Sequence, residues 1–192
     1  PDIDSSDVNE VCFKEEPFCS ILAETSIDAG SIPEFIQQSV SFVNEHVWGT
    51  LHAIMIVHPK SQHETQIARA IEKGISDLNY GTVSINQYPA ISYYIGLTGW
   101  GGSPGQDIYD IQSGIGFVNN TLMLADIQKN IMRAPFNLSP DPFVISTKRA
   151  HEFGAKMAHY EAFPSLRQLP SIIWTVLRSP HEHVFKNDSR DV

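Results

Sequence analysis

The chain has 192 residues, 42% hydrophobic and 18% charged, enough for one sizeable core or one core with an appendage. Its 13 Lys and Arg against 22 Asp and Glu leave a net charge of −9, which argues against a surface built for nucleic acid. Two cysteines, Cys12 and Cys19, with no secretory-type apolar segment before them, give a reduced cytoplasmic protein as the expectation.

The chain opens at Pro1 among acids and small polar residues, as a cut fragment would, and residues 1–11 read as an exposed lead-in. Pro17 predicts an extended or turned course for residues 12–19, and residues 20–23 read as a short strand. Ser31-Ile32-Pro33-Glu34 is a capping-box pattern, followed by Ile36, Val40, Val43 and Val47 on one helical stripe that Gly49 closes. Residues 53–57 form a continuous apolar run, the pattern of a strand covered on both faces. Ser61-Gln62-His63-Glu64 repeats the capping signature before a second stripe, Ile67, Ala70, Ile71 and Ile75. A strand over 81–86 comes next. This order predicts an α/β fold, a three-layer parallel-sheet core of βαβαβ type.

The segment 87–116 differs from everything around it. Tyr88, Tyr93, Tyr94 and Trp100 crowd into it, with glycines at 96, 99, 101, 102, 105, 114 and 116. A strand delivering aromatics into a long irregular loop suits a pocket wall, against the plainer reading of a surface loop. Beyond it, 117–123 is ambiguous, and Asn130-Ile131-Met132-Arg133 reads as a strand stopped by Pro135. Residues 137–145 read as a linker, and a helix is expected from Lys148 with Phe153, Met157 and Tyr160 on one face. Two domains follow: 1–136, and 137–192 as a linker, helical C-terminal extension and polar tail.

Reactive residue types are sparse. His181-Glu182-His183 lacks a third metal ligand at sensible spacing, and His46, His52, His58 and His63 read as structural or surface residues, so no metal site is expected. Neither a base nor a helix N-terminus is evident beside Cys19. Gly99-Trp100-Gly101-Gly102 fails as a dinucleotide fingerprint because Ser103-Pro104 interrupts where a helix should open. A carboxylate beside an aromatic in Glu15-Glu16-Pro17-Phe18 suits a ribose diol and a flat base.

Taken in order, Glu15-Glu16-Pro17-Phe18, Trp48-Gly49-Thr50, residues 53–58, Gly81-Thr82-Val83-Ser84-Ile85-Asn86, Gly99-Trp100-Gly101-Gly102 and Ser113-Gly114-Ile115-Gly116 resemble the C-terminal part of the aldehyde dehydrogenase superfamily's catalytic domain, over residues 13 to about 135. The resemblance implies an NAD(P)-dependent oxidoreductase that takes an aldehyde to a carboxylic acid through a thiohemiacetal. The catalytic cysteine, like the cofactor domain, would lie outside this chain, so the fragment alone would be inactive. It further implies cofactor contacts at Glu16 and Phe18, substrate-tunnel positions at Asn86, Ile91 and Trp100, and a subunit-association strand at Ile131 and Met132. Cys19 departs from the pattern, standing where the family has glycine. Expected partners are an aldehyde substrate, the remainder of its own catalytic and cofactor domains and a second copy in a homo-oligomer; nucleic acid and membrane are not expected. The competing class is a non-catalytic oligomerisation or membrane-peripheral module on a dehydrogenase-like scaffold, for which the basic stretch 146–178 speaks.

Overall fold

Order begins within the expected lead-in. In a computed structural model, which describes residues 2–7, 9–136 and 149–178, Asp2–Ile3 (β1) pairs in parallel with Glu24–Thr25 (β2). The strand expected over 20–23 therefore lies just beyond it, where Thr25 can donate its hydroxyl to Ile3 O (2.6 Å). Residues 12–19 are not wholly extended either. Val11–Lys14 forms one helical turn (α1), because the Glu10 carboxylate accepts from Cys12 N (3.0 Å) and Pro17 stands too far downstream to prevent it. Phe13 is buried, edge-on to Phe42 at 5.1 Å.

Ile32–His46 (α2) is capped by Ser31, whose hydroxyl accepts from Glu34 N (3.3 Å). His52–Met55 (β3) is shorter than the 53–57 run, and its burial alternates where cover on both faces was expected. It is an edge strand, so Ile54 and Ile56 remain 47% and 72% exposed. The second capping signature also resolves differently. Pro59–His63 (α3) takes Ser61 into its own turn, capped by His58, and Thr65–Asp77 (α4) starts without a side-chain cap. Ile67, Ile71 and Ile75 of α4 are buried. Gly74 lets the helices close up, since a Cβ there would meet Ile36 Cγ2 at 3.0 Å. Lys129 fastens the end of α4 by donating to Ile75 O, Ser76 O and Leu78 O at 2.6–2.8 Å.

Thr82–Ile85 (β4) is buried throughout and is the central strand of a three-stranded parallel sheet, with β3 on one side and Asn130–Arg133 (β5) on the other. Ala90–Ile95 (α5) opens the irregular stretch between β4 and β5. Ala53, Met55, Val83 and Ile85 share a core with Val40, Ile67, Ile71 and Ile75 of α2 and α4. The register puts His52, Thr82 and Asn130 on the opposite face, followed by Ile54, Ser84 and Met132. There the segment after α5 lies against the sheet: Asn130 donates to Gly99 O (2.7 Å), and Gly81 and Gly101 meet backbone to backbone. Helices, sheet and this segment make the α/β core.

The chain divides into two compact units, residues 1–136 and 137–192. In the second, Ala150–Ala162 (α6) and Leu169–Leu177 (α7) form a helical pair, with a short 3₁₀ turn Leu166–Gln168 before α7. Phe153 and Ile172 are buried, while Met157 and Tyr160 are half-buried. Lys156 bridges the pair, donating to Glu152 Oε1 (2.9 Å) and Thr175 Oγ1 (2.5 Å), and this hydrogen bond from Lys156 draws the Glu152 carboxyl below its usual range. Arg149 also pairs with Glu152. The whole of the 137–145 linker reading, Lys148 and the His181-Glu182-His183 tail lie outside the described residues. Among those described, no helix is long and apolar enough to cross a membrane.

Candidate functional site

Glu16 follows α1 on an exposed stretch that leads away from the core, and its side chain faces water. It nonetheless acts electrostatically on His52, at the start of β3. Burial holds the His52 imidazole below its ordinary pKa, and the Glu16 carboxylate pulls it part of the way back. One edge of the imidazole stays exposed, while the ring tilts over Trp100 at a centroid distance of 5.7 Å. Trp100 meets Tyr93 edge-on at 5.8 Å, and Tyr93 meets Tyr94 at 5.9 Å. Two stretches far apart in sequence thus meet in a run of four aromatic rings, and the Glu16 carboxylate acts on the imidazole from a third.

Backbone contacts hold this wall. Trp100 exchanges hydrogen bonds with Val118, both 2.8 Å, in an isolated antiparallel bridge within the otherwise irregular stretch. A Cβ on Gly101 would strike Gly116 O, and one on Gly81 would strike Gly101 O. The glycines there serve close backbone approach, and they set the Trp100 ring over the sheet face.

Phe18 sits in the left-handed region at φ 41°, a position that costs a bulky residue about 1–2 kcal/mol. Its ring is 88% exposed, so packing within the chain does not offset that strain. Strained backbone presenting an open aromatic ring is a recurrent feature of ligand contacts.

The remaining sequence-derived positions lie elsewhere. Asn86 follows β4, about 13 Å along the strand from the level of His52. Its carboxamide accepts from Val57 N (2.7 Å) and donates to Val57 O (3.0 Å), which fastens the turn after β3 to the end of β4. Ile91 is buried in α5. Ile131 is 49% exposed on β5, which pairs only with β4 among the described residues; Met132 points to the other face, half-buried.

His52 is the residue that sequence reasoning passed over. Its signal was there in principle: a polar residue one step before a strand's apolar run lies on the face opposite Ala53 and Met55. Cys12 does not qualify as a nucleophile, since its hydrogen bond with Glu10 raises the thiol pKa. Among the described residues no group of three or more His, Cys, Asp or Glu side chains comes together as a metal site. No family model, curated protein or solved structure matches the chain.

Proposed function

We propose that this chain is the C-terminal part of an aldehyde dehydrogenase-like oxidoreductase that uses NAD or NADP, with the aldehyde substrate, the nucleophilic cysteine and the cofactor domain supplied outside it. The observation that supports this reading is the ring contact of Trp100 with His52 on the sheet face opposite the helices, with the Glu16 carboxylate acting electrostatically on the same imidazole. The side chains there fit a nicotinamide riboside. Among the described residues the Glu16 carboxylate has no hydrogen-bond donor, so both oxygens are open to a ribose diol. The exposed Phe18 ring offers a flat surface for the base.

Bound there, the cofactor would supply the hydride acceptor for aldehyde oxidation. Glu16 fixes the ribose through two charge-assisted hydrogen bonds, Phe18 backs the ring, and Trp100 with Tyr93 walls the substrate side against water. His52, held below its ordinary pKa, is uncharged at neutral pH and does not occupy Glu16 as an ionic partner. Asn86 holds the turn from which the aromatic segment departs. The outer edge of β5, unpaired among the described residues and with Ile131 half exposed, supports self-association as part of the same reading.

Glu16→Gln in the full-length protein tests this. Glutamine keeps the shape but offers one acceptor oxygen, and a charge-assisted bond contributes about 1.5–3 kcal/mol. Single-turnover cofactor reduction should slow by roughly ten- to a hundredfold, while the cofactor Kd rises less, because a wandering ring loses its attack geometry. Unchanged single-turnover rates would make Glu16 an ordinary surface charge.

A further inference from the structure

A cavity of about 540 Å³ opens at the N-terminal ends of β3 and β4, walled by Lys14, Trp48, Asn79, Gln106, Asp110 and Gln112. We propose that it binds a small uncharged polyhydroxylated ligand, of the sugar or polyol class. The volume lies in the range of small-molecule sites.

Charge argues for a neutral ligand. Lys14 faces it alongside Glu45 and Asp110, so a strongly charged ligand of either sign meets like charge. The polar groups argue for hydroxyls. Carboxamides both donate and accept, as hydroxyl groups do, and four of them, Asn44, Asn79, Gln106 and Gln112, line this space. Asn44 belongs to the wall rather than to the ligand, since it already bonds Asp77 O (2.8 Å) and Asn79 N (2.9 Å) and leaves the Asn79 carboxamide to the cavity. Gln112, at φ 49°, donates to Asp110 Oδ1 (2.9 Å), which holds that amide and carboxylate in place.

Two oxygens of lining residues are packed into the wall. Thr50 Oγ1 and Gln106 Oε1 are shielded from solvent, and neither has a partner among the described residues. They crowd around Gly102, where a Cβ would meet them at 3.0 and 3.1 Å, so the missing side chain is what leaves room for both. Thr50 is held there by its own N–H, which donates to Ser113 Oγ (2.7 Å). Trp48, 49% exposed and anchored by its N–H to Phe13 O (2.8 Å), adds a flat apolar surface for the C–H face of a ring.

The test is direct binding, independent of any dehydrogenase activity. Glucose, galactose, mannose, sorbitol and myo-inositol would be titrated into the full chain by ligand-observed NMR and calorimetry, with inorganic phosphate and cyclohexanol as controls. At least one sugar or polyol should bind saturably. Trp48→Ala and Gln106→Leu should each weaken it about tenfold or more with the circular dichroism unchanged, and Trp48→Phe should largely retain it. Absence of saturable binding by every hydroxylated probe would overturn the proposal. So would tighter binding of phosphate or cyclohexanol, or affinity that Trp48→Ala and Gln106→Leu both leave intact. Should either variant unfold, Trp48→Phe against wild type, read by fluorescence quenching on titration, decides whether the ligand sits at Trp48.

Discussion

The two faces of the β3-β4-β5 sheet are covered by different means. On one, Ala53, Met55, Val83 and Ile85 meet branched side chains of α2 and α4, and Val83 and Ile75 are almost wholly buried. On the other, the strands present His52, Thr82, Ser84 and Asn130; Thr82 and Ser84 are wholly buried, His52 stays exposed beside the Trp100 ring, and the close contacts are backbone, glycine against glycine from Gly81 through Gly101 to Gly116. Side chains fill space and exclude water. Backbone contact instead leaves polar atoms at the interface, and Thr82 Oγ1 and Ser84 Oγ are shielded there without a partner among the described residues. The candidate site grows from the second face, where shape is set by the absence of side chains.

Gly101→Ala should break this arrangement most severely. Its Cβ would strike Gly116 O, a backbone atom that cannot swing aside as a side-chain tip does. We expect a loss of about 3 kcal/mol or more in urea unfolding, together with exposure of Trp100 seen as a red-shifted emission. A loss under about 1 kcal/mol would mean that the segment from 99 to 118 is not seated on the sheet.

The helix-covered face was largely legible in the sequence, because periodicity reports side chains. Ile67, Ile71 and Ile75 recur at helical spacing, and β4 announces itself through Thr82, Val83 and Ile85. Misplacements fell where a local competitor prevailed. His58 caps α3 and draws Ser61 into that turn, and one carboxylate, Glu10, suffices to nucleate α1. The other face was legible only as an unusual density of glycines and aromatics. Which glycine meets which depends on long-range closure, and no spacing rule encodes it. The link between Glu16 and His52 was likewise hidden, since 36 positions separate them and each alone reads as a surface residue.

Acid should sharpen the contrast between the faces, because His52 reports burial on the aromatic side. Its pKa in the folded protein lies below the 6.5 of an unperturbed imidazole, so in the window just beneath that value the unfolded chain binds more protons. Stability therefore rises with pH through this window. The contribution is complete above about pH 6.5 and is lost as pH falls toward the folded pKa. His52→Gln cannot titrate. Between about pH 7.5 and about pH 5.5 its Tm should fall less than that of the wild type, since the carboxylates titrate in both. Equal decrements would mean that the imidazole is no more buried folded than unfolded.

The smallest expected effect is at Ser84, and its sign carries the information. Truncating a buried residue on the helix side removes packed atoms and destabilises. Ser84→Ala removes a hydroxyl that is shielded in the central strand and has no partner among the described residues. The group lost its water on folding without gaining a bond, a cost of about 1–3 kcal/mol that alanine does not incur. The methyl-sized gap left behind offsets part of that relief. We therefore expect Ser84→Ala to be neutral or stabilising by up to about 1 kcal/mol, measured by urea unfolding with an unchanged m value. A destabilisation of about 1 kcal/mol or more would show that the hydroxyl is hydrogen-bonded in solution. The face opposite the helices would then be sealed by polar bonding as well as by glycine backbone.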